Sequence, residues 1–237
     1  MPAPSAELAA ATRLLDNITW HSLAGAQAKF SSGTATARRY ARGFSAMIGF
    51  ADAESPDFGA LVPFCDPDEH FYVGAWTGRV PAGWQLHADT VGHQMVWDRG
   101  IPDADPELAA VPLDASHVPQ MLELAKIRPP GPFAVRTREL GDYFGIFESG
   151  RLVAMAGERM EAGALREVSG VCTHPDFEGR GLARRLIAKI VRRQMERGQI
   201  PFLHVMRDNV HAREVYARMG FRLYQEVALR VVSRCGN

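Results

Sequence analysis

Residues 168–183, VSGVCTHPDFEGRGLA, carry an apolar run that stops at a His-Pro turn, crosses a glycine-rich loop and opens into an amphipathic stretch. That order leaves little freedom: a strand enters the loop and a helix leaves it. Gly179 and Gly181 remove side chains where backbone can approach a ligand closely. The helix that follows offers unpaired N–H groups and the positive end of its dipole. Together these make an anion site suited to a phosphate or pyrophosphate. Glycines also serve ordinary strand-to-helix turns, so the loop needs support from elsewhere in the chain.

A second apolar run, 201–206, leads into Asn209, Ala212, Tyr216, Gly220 and Phe221, spaced as N-x-x-A-x-x-x-Y-x-x-x-G-F. Strand, glycine loop, helix, strand and this closing motif resemble the GNAT acyltransferase superfamily over residues 112–232. Within it the chain is most similar to the branch containing the catalytic half of glycine N-acyltransferase. The loop of that superfamily reads Arg or Gln, two residues, Gly, one residue, then Gly or Ala. Here those places hold Glu178, Gly181 and Ala183. The resemblance implies an α/β (α+β) fold with a mixed, mostly antiparallel sheet flanked by helices. It also implies a catalytic GNAT domain over 111–237 and a degenerate GNAT-like domain over 1–110, although the sequence shows no internal repetition.

Whole-chain properties limit the function classes. At 237 residues the chain suits one large domain or two small ones. Its 27 basic and 27 acidic residues cancel, which argues against a nucleic-acid partner held by an overall basic field. Cys65, Cys172 and Cys235 are odd in number and widely spaced, which suits neither a disulfide framework nor a zinc site. A reducing, cytoplasmic setting is expected. The amino terminus lacks a basic lead before an apolar core and is not read as a signal peptide. No run approaches the ~18 apolar residues of a membrane span, so no membrane partner is expected. A homodimer is left open.

Periodicity sketches the elements. Leu8, Ala11, Leu14 and Leu15 predict a short helix ahead of Asp16, and residues 20–30 another. Candidate strands cover 43–50, 71–76 and 91–97, and residues 98–112, with three prolines, read as a linker. Asp114 can cap a helix carrying Val118, Met121, Leu122 and Ala125, which must stop before Pro129. Residues 140–160 read as a hairpin, and 166–173 as the strand that follows. Leu182, Leu186, Ile187, Ile190 and Val191 form a helical stripe ended by Gly198. Residues 221–232 read as a closing pair of strands.

The resemblance implies attack by an amine on an acyl thioester through a tetrahedral intermediate, with a thiol leaving. Acetyl-CoA or another short acyl-CoA is the implied cosubstrate, and a small-molecule amine or amino acid the acceptor. Such chemistry needs a neutral amine, oxyanion stabilisation and a proton for the departing thiolate. The backbone of Glu178, Gly179, Arg180, Gly181, Leu182, Ala183 and Arg184 is the expected pyrophosphate grip. Glu178 replaces the usual Arg or Gln with a charge that repels phosphate. Either it points outward and pairs with a neighbour such as Arg180, or it weakens cofactor binding. Val171, Cys172 and Thr173 are expected along the pantetheine arm. Cys172 also invites a nucleophile reading, against that of a small buried strand residue.

Tyr216 is the implied general acid toward the thiolate; the competing reading is an aromatic packed in the core with its hydroxyl bonded. Asn209 caps its helix and can also touch the cofactor. Glu167 and then Glu158 are candidate general bases, with Ser169 on the Glu167 face to orient a water. His174, before a proline, reads as structural. Trp76, Trp84, Trp97 and Phe133 are candidates to line the amine pocket, in competition with core packing. No His or Cys set has metal-ligand spacing. A non-catalytic acyl-CoA-binding module is the alternative function. A dinucleotide oxidoreductase fits poorly, because the loop lacks a third glycine and lies late in the chain.

Overall fold

The computed structural model describes residues 10–67 and 69–236. The N-terminal strands are β1 (Ser31–Gly33), β2 (Ala37–Tyr40), β3 (Met47–Phe50), β4 (His70–Gly74) and β5 (Trp84–Trp97). They are followed by β6 (Ala110–Pro112), β7 (Tyr143–Glu148), β8 (Arg151–Ala162), β9 (Leu165–Thr173), β10 (Ile200–Met206) and β11 (Phe221–Arg234). The α-helices that lie wholly within the described residues are α1 (Ile18–Ala24), α2 (Val118–Ile127), α3 (Leu182–Glu196) and α4 (Val210–Met219). All eleven strands join one sheet in the order β1-β2-β3-β4-β11-β5-β10-β9-β8-β7-β6. Only the pairs β3–β4 and β9–β10 are parallel, so the sheet is mixed and mostly antiparallel.

Local chemistry sets the boundaries in the second half. Asp114 accepts from the Ser116 N–H in a capping box completed by His117, and α2 ends ahead of Pro129 and Pro130. Ser149 and Gly150, both at positive φ, turn the chain between β7 and β8. Gly198 at φ +73° lets the chain leave α3.

Two apolar layers then close on the sheet. Leu186, Ile187, Ile190 and Val191 of α3 pack against Phe144, Val153, Val168, Leu203 and Val205 on one face. Leu15, Ile18 and Leu23, on and just before α1, pack against Met160, Leu165 and Phe202 on the other. Each such fully buried side chain contributes about 1.5–3 kcal/mol relative to exposure. The expected boundary between residues 110 and 111 falls inside β6, and the strands on its two sides interleave. β5 lies between β10 and β11, and β11 in turn joins β4.

Several expectations need correction. Residues 221–234 are one long strand, not a pair: a register shift between Leu223 and Gln225 absorbs the polar interruption as a bulge. The helix expected before Asp16 continues through a 3-10 turn, Arg13–Asn17, into α1; Leu8 lies outside the described residues. The helix expected over 20–30 ends at Ala24. β5 begins at Trp84, seven residues ahead of the expected start at Val91, because pairing with β11 carries its polar first half. β1 and β2 are short and polar, and their alternation gave no signal.

Candidate active site

The site begins where β9 and β10 part. Their parallel pairing covers only Leu165, Arg166 and Glu167 of β9. Beyond it β10 follows β5 antiparallel as far as Met206, while β9 stays with β8. Gly170 and Val171 form a bulge on β9: Met155 faces Cys172 and Gly157 faces Ser169, leaving two β9 residues opposite one. Gly170 sits at φ +63°, a conformation that favours glycine. The ring of Tyr143, buried beneath the bulge, lies 2.6 Å from where a Cβ on Gly170 would stand. The same ring lies 2.3 Å from where a Cβ on Gly157 would stand.

A cleft of about 530 Å³, a size suited to a small ligand, opens through this gap. Glu167, Ser169, Gly170 and Val171 line it from β9, and Leu203, His204 and Val205 from β10. Asn209 and Tyr216 reach it from the α4 side, as do the prolines that follow α2. The remaining wall comes from the N-terminal half, through Ile18, Met47, Tyr72 and Gln94, and from Val227, Leu229 and Val231 of β11.

β9 also feeds the glycine loop. Gly179 and Gly181 are at φ +77° and +74°, and a Cβ on Gly179 would meet open space, so backbone conformation rather than crowding calls for glycine there. Gly181 is the N-cap of α3 and no side chain caps the helix, which leaves the first N–H groups of a 15-residue helix available to an anion. Glu178 pairs with Arg128 across the loop, whereas Arg180 lies 3.7 Å from Glu148 and stacks over Phe177. The outward carboxylate thus has a different partner from the one suggested by sequence proximity. Leu182 and Ala183 are half-buried in the first turn, and Arg184 is exposed.

The two candidate bases differ in surroundings. Glu167 lines the cleft but is only 1% exposed, and its oxygens are fully engaged. Arg159 donates through Nε and Nη2 at 2.9 and 2.8 Å, the Met160 N–H at 3.2 Å, and His204 Nδ1 at 2.8 Å. Burial alone would raise the Glu167 pKa; the Arg159 guanidinium and then His204 outweigh it and hold the carboxyl well below the usual range. Glu158, also buried, accepts from Arg166, Arg197 and the Asp142 N–H and does not line the cleft.

Tyr216 lines the cleft with its ring against Phe221, and its hydroxyl has no hydrogen-bond partner among the described residues. Burial, with the Cys172 thiol adding, pushes its phenol up to about 12, which keeps it protonated at neutral pH. Asn209 caps α4 by accepting from the Ala212 N–H at 3.2 Å. Cys172 is buried, donates to the Arg128 carbonyl at 3.2 Å, and is pushed up to about 12 by desolvation, so it holds no thiolate near neutral pH. Thr173 follows on the strand with a buried hydroxyl that has no partner among the described residues. His174 accepts from the Asp176 N–H in the turn, a structural contact.

The aromatic candidates do not reach the cleft. Trp76 and Trp84 are in the N-terminal core, Trp97 is in the α3 layer, and Phe133 packs on Tyr143. Sequence reasoning missed His204, Gln94 and Arg159, and the bulge at Gly170. A glycine inside an apolar run was a readable signal for the bulge. A histidine within the run 200–206 was a weaker one, and nothing local pointed to Gln94 or Arg159.

The family model for FR47-like proteins matches residues 143–231. A candidate acetyltransferase from the GNAT family of Novosphingobium aromaticivorans is 32% identical, with a TM-score of 0.85 over 94% of this chain and 99% of its own. GCN5-related proteins of Kribbella flavida and Streptococcus suis share the fold at TM-score 0.59 each, with 16% and 15% identity; they cover 96% and 98% of this chain and 96% and 100% of their own. No curated protein matches the sequence. With a close relative aligned along almost the whole of both chains and the parted strands in place, the chain belongs to the GNAT acetyltransferase family.

Proposed function

We propose that the protein moves an acetyl or other short acyl group from acyl-CoA to a primary amine by direct attack, without an acyl-enzyme. The observation that carries this reading is the gap between β9 and β10, bulged at Gly170 and continued by the uncapped N-terminus of α3. The residues fit acyl-CoA. Backbone N–H groups of residues 179–184 would hold the pyrophosphate, and Val171, Cys172 and Thr173 would follow the pantetheine arm. Bound there, acyl-CoA supplies an activated thioester. Gly170 and Val171, without ladder partners on either neighbouring strand, leave backbone groups to polarise its carbonyl. Tyr216, protonated and without a partner among the described residues, would give a proton to the leaving sulfur. Buried Cys172 is not a nucleophile in this scheme.

Ile18, Met47, Tyr72, Val227, Leu229 and Val231 also line the cleft, which suits an amine on an apolar body. The N-x-x-A-x-x-x-Y motif supports placing the protein near the glycine N-acyltransferase branch, with 1–110 as a divergent second copy of the fold. Three free cysteines fit a reducing, cytoplasmic setting. No helix among the described residues is long and apolar enough to cross a membrane.

Isothermal titration with acetyl-CoA, free coenzyme A and NAD tests the site. Micromolar acetyl-CoA binding, lost in Gly181→Asp with the fold intact, is expected, followed by thiol release with members of an amine panel. Binding without turnover of any amine would make the protein an acyl-CoA-binding module; no binding of either CoA species would refute the reading.

A further inference from the structure

One polar row crosses five adjacent strands. Arg159 on β8 forks onto Glu167 on β9, and Glu167 accepts from His204 Nδ1 on β10 at 2.8 Å. His204 Nε2 lies 3.0 Å from Gln94 Nε2 on β5, and Gln94 Oε1 accepts from Gln225 on β11 at 2.8 Å. The row follows the ladders: His204 is directly opposite Gln94, and Gln94 opposite Gln225. Burying such a row costs desolvation that apolar residues would avoid, so stability alone gives no reason for it.

The hydrogen bonds fix the protons. Gln94 Nε2 also donates to the Leu15 carbonyl at 3.1 Å, and its Oε1 is taken by Gln225. The amide orientation is thereby set, and Gln94 donates to His204 Nε2. His204 therefore carries its proton on Nδ1 and a lone pair on Nε2. Glu167 has no free oxygen to receive a proton. His204 is 22% exposed and lines the cleft, as does Ser169.

We propose that His204 takes the proton from the attacking amine, with Glu167 as its positioning residue and Gln94 as a placeholder on Nε2. The inference rests on the acyltransferase reading above. An incoming ammonium is a charge-assisted donor and displaces the weaker amide donor of Gln94 from Nε2. Its N–H bond breaks, Nε2–H forms, and the nitrogen keeps the electron pair that attacks the thioester carbon. Glu167, kept ionised by Arg159, stabilises the imidazolium through Nδ1–H, the same logic as a carboxylate behind a catalytic histidine. As the C–S bond breaks, Tyr216 gives its proton to sulfur, and the excess proton on the new amide nitrogen returns to the phenolate. His204 then releases its proton to water, so one acyl group moves and one proton leaves. The other charged or titratable side chains lining the cleft are Asp16, Tyr72, Arg159, Glu167 and Tyr216.

The test is kcat/KM against pH for the wild type, His204→Gln, His204→Ala and Glu167→Gln, using acetyl-CoA and the best amine of the panel. Acetyl-CoA affinity is measured by titration in parallel. The wild type is expected to lose activity on acidification, because protonation of the base removes the lone pair that takes the proton. H204Q should fall about 100-fold or more and lose that limb, with acetyl-CoA affinity within about threefold. Added imidazole should restore part of the activity of H204A, a readout that a purely structural role would not give. E167Q should be slower yet keep the limb. H204Q within about threefold of the wild type with its limb intact would overturn the proposal; so would E167Q losing the limb while H204Q keeps it. A wild type that binds no acetyl-CoA refutes the acyltransferase reading itself, and binding without turnover of any amine removes the chemistry and its base together.

Discussion

Three glycine-to-alanine substitutions separate the forces that shape the bulge. Gly179 has φ +77° and open space where a Cβ would stand, so G179A feels only the left-handed backbone, about 1–2 kcal/mol. Gly157 has no positive φ, but its Cβ would lie 2.3–2.4 Å from three ring carbons of Tyr143. That ring is buried and cannot swing to solvent, so G157A should cost about 1–3 kcal/mol as overpacking. Gly170 combines both: φ +63° and a Cβ 2.6 Å from Tyr143 Cε1 and 2.9 Å from its hydroxyl. G170A should therefore cost about 2–5 kcal/mol. At about 2–4 °C per kcal/mol for a chain of this size, the loss of Tm is about 4–20 °C, against about 2–8 °C for G179A. Thermal unfolding followed by circular dichroism reads all three. Tyr143→Leu in the G170A background should return part of the loss, because it removes the clashing ring edge. A G170A variant no less stable than G179A, or one whose loss Tyr143→Leu leaves untouched, would refute the account of the bulge as a backbone wedged over Tyr143.

Other predictions follow from the charges and the thiol. Glu167→Gln leaves the buried Arg159 without its counter-charge and should cost about 3–5 kcal/mol at neutral pH by chemical denaturation. Because the folded-state pKa of Glu167 is depressed, its stabilisation is complete above the unfolded value of about 4.3 and lost as pH falls toward the folded one. E167Q should consequently flatten the acid side of the stability profile below about pH 5, and an unchanged profile would count against the ion pair. Tyr216→Phe should lower kcat about 100-fold while acetyl-CoA affinity holds; a loss of affinity without a loss of kcat would make Tyr216 a packing residue. Cys172→Ala should keep most of the activity in a thiol-release assay, since the thiol is buried and protonated; an inactive, folded variant would revive the nucleophile. Glu178→Arg should change acetyl-CoA affinity little by titration, because Arg128 already holds the carboxylate; a tightening of about tenfold would show real repulsion at the loop.

The sequence by itself determined the elements whose causes are local. A glycine needed for positive φ, an Asn cap three residues from the N–H it satisfies, and an apolar stripe at helical spacing all act within a few residues. The glycine loop, α3, α4 with Asn209 and Tyr216, and the hairpin of β7 and β8 were legible for that reason. Only the tertiary structure decided which side chains face one another. His204 and Gln94 are 110 residues apart and meet because β5 inserts between β10 and β11, a pairing without a local signature. The same placement explains Glu167. Its position in a strand was readable, but Arg159 and His204 beside it turn a carboxylate that sequence offers as a base into a fixed charge. Burial and opposite charge within a few ångströms set proton affinity, and chain folding alone assigns both.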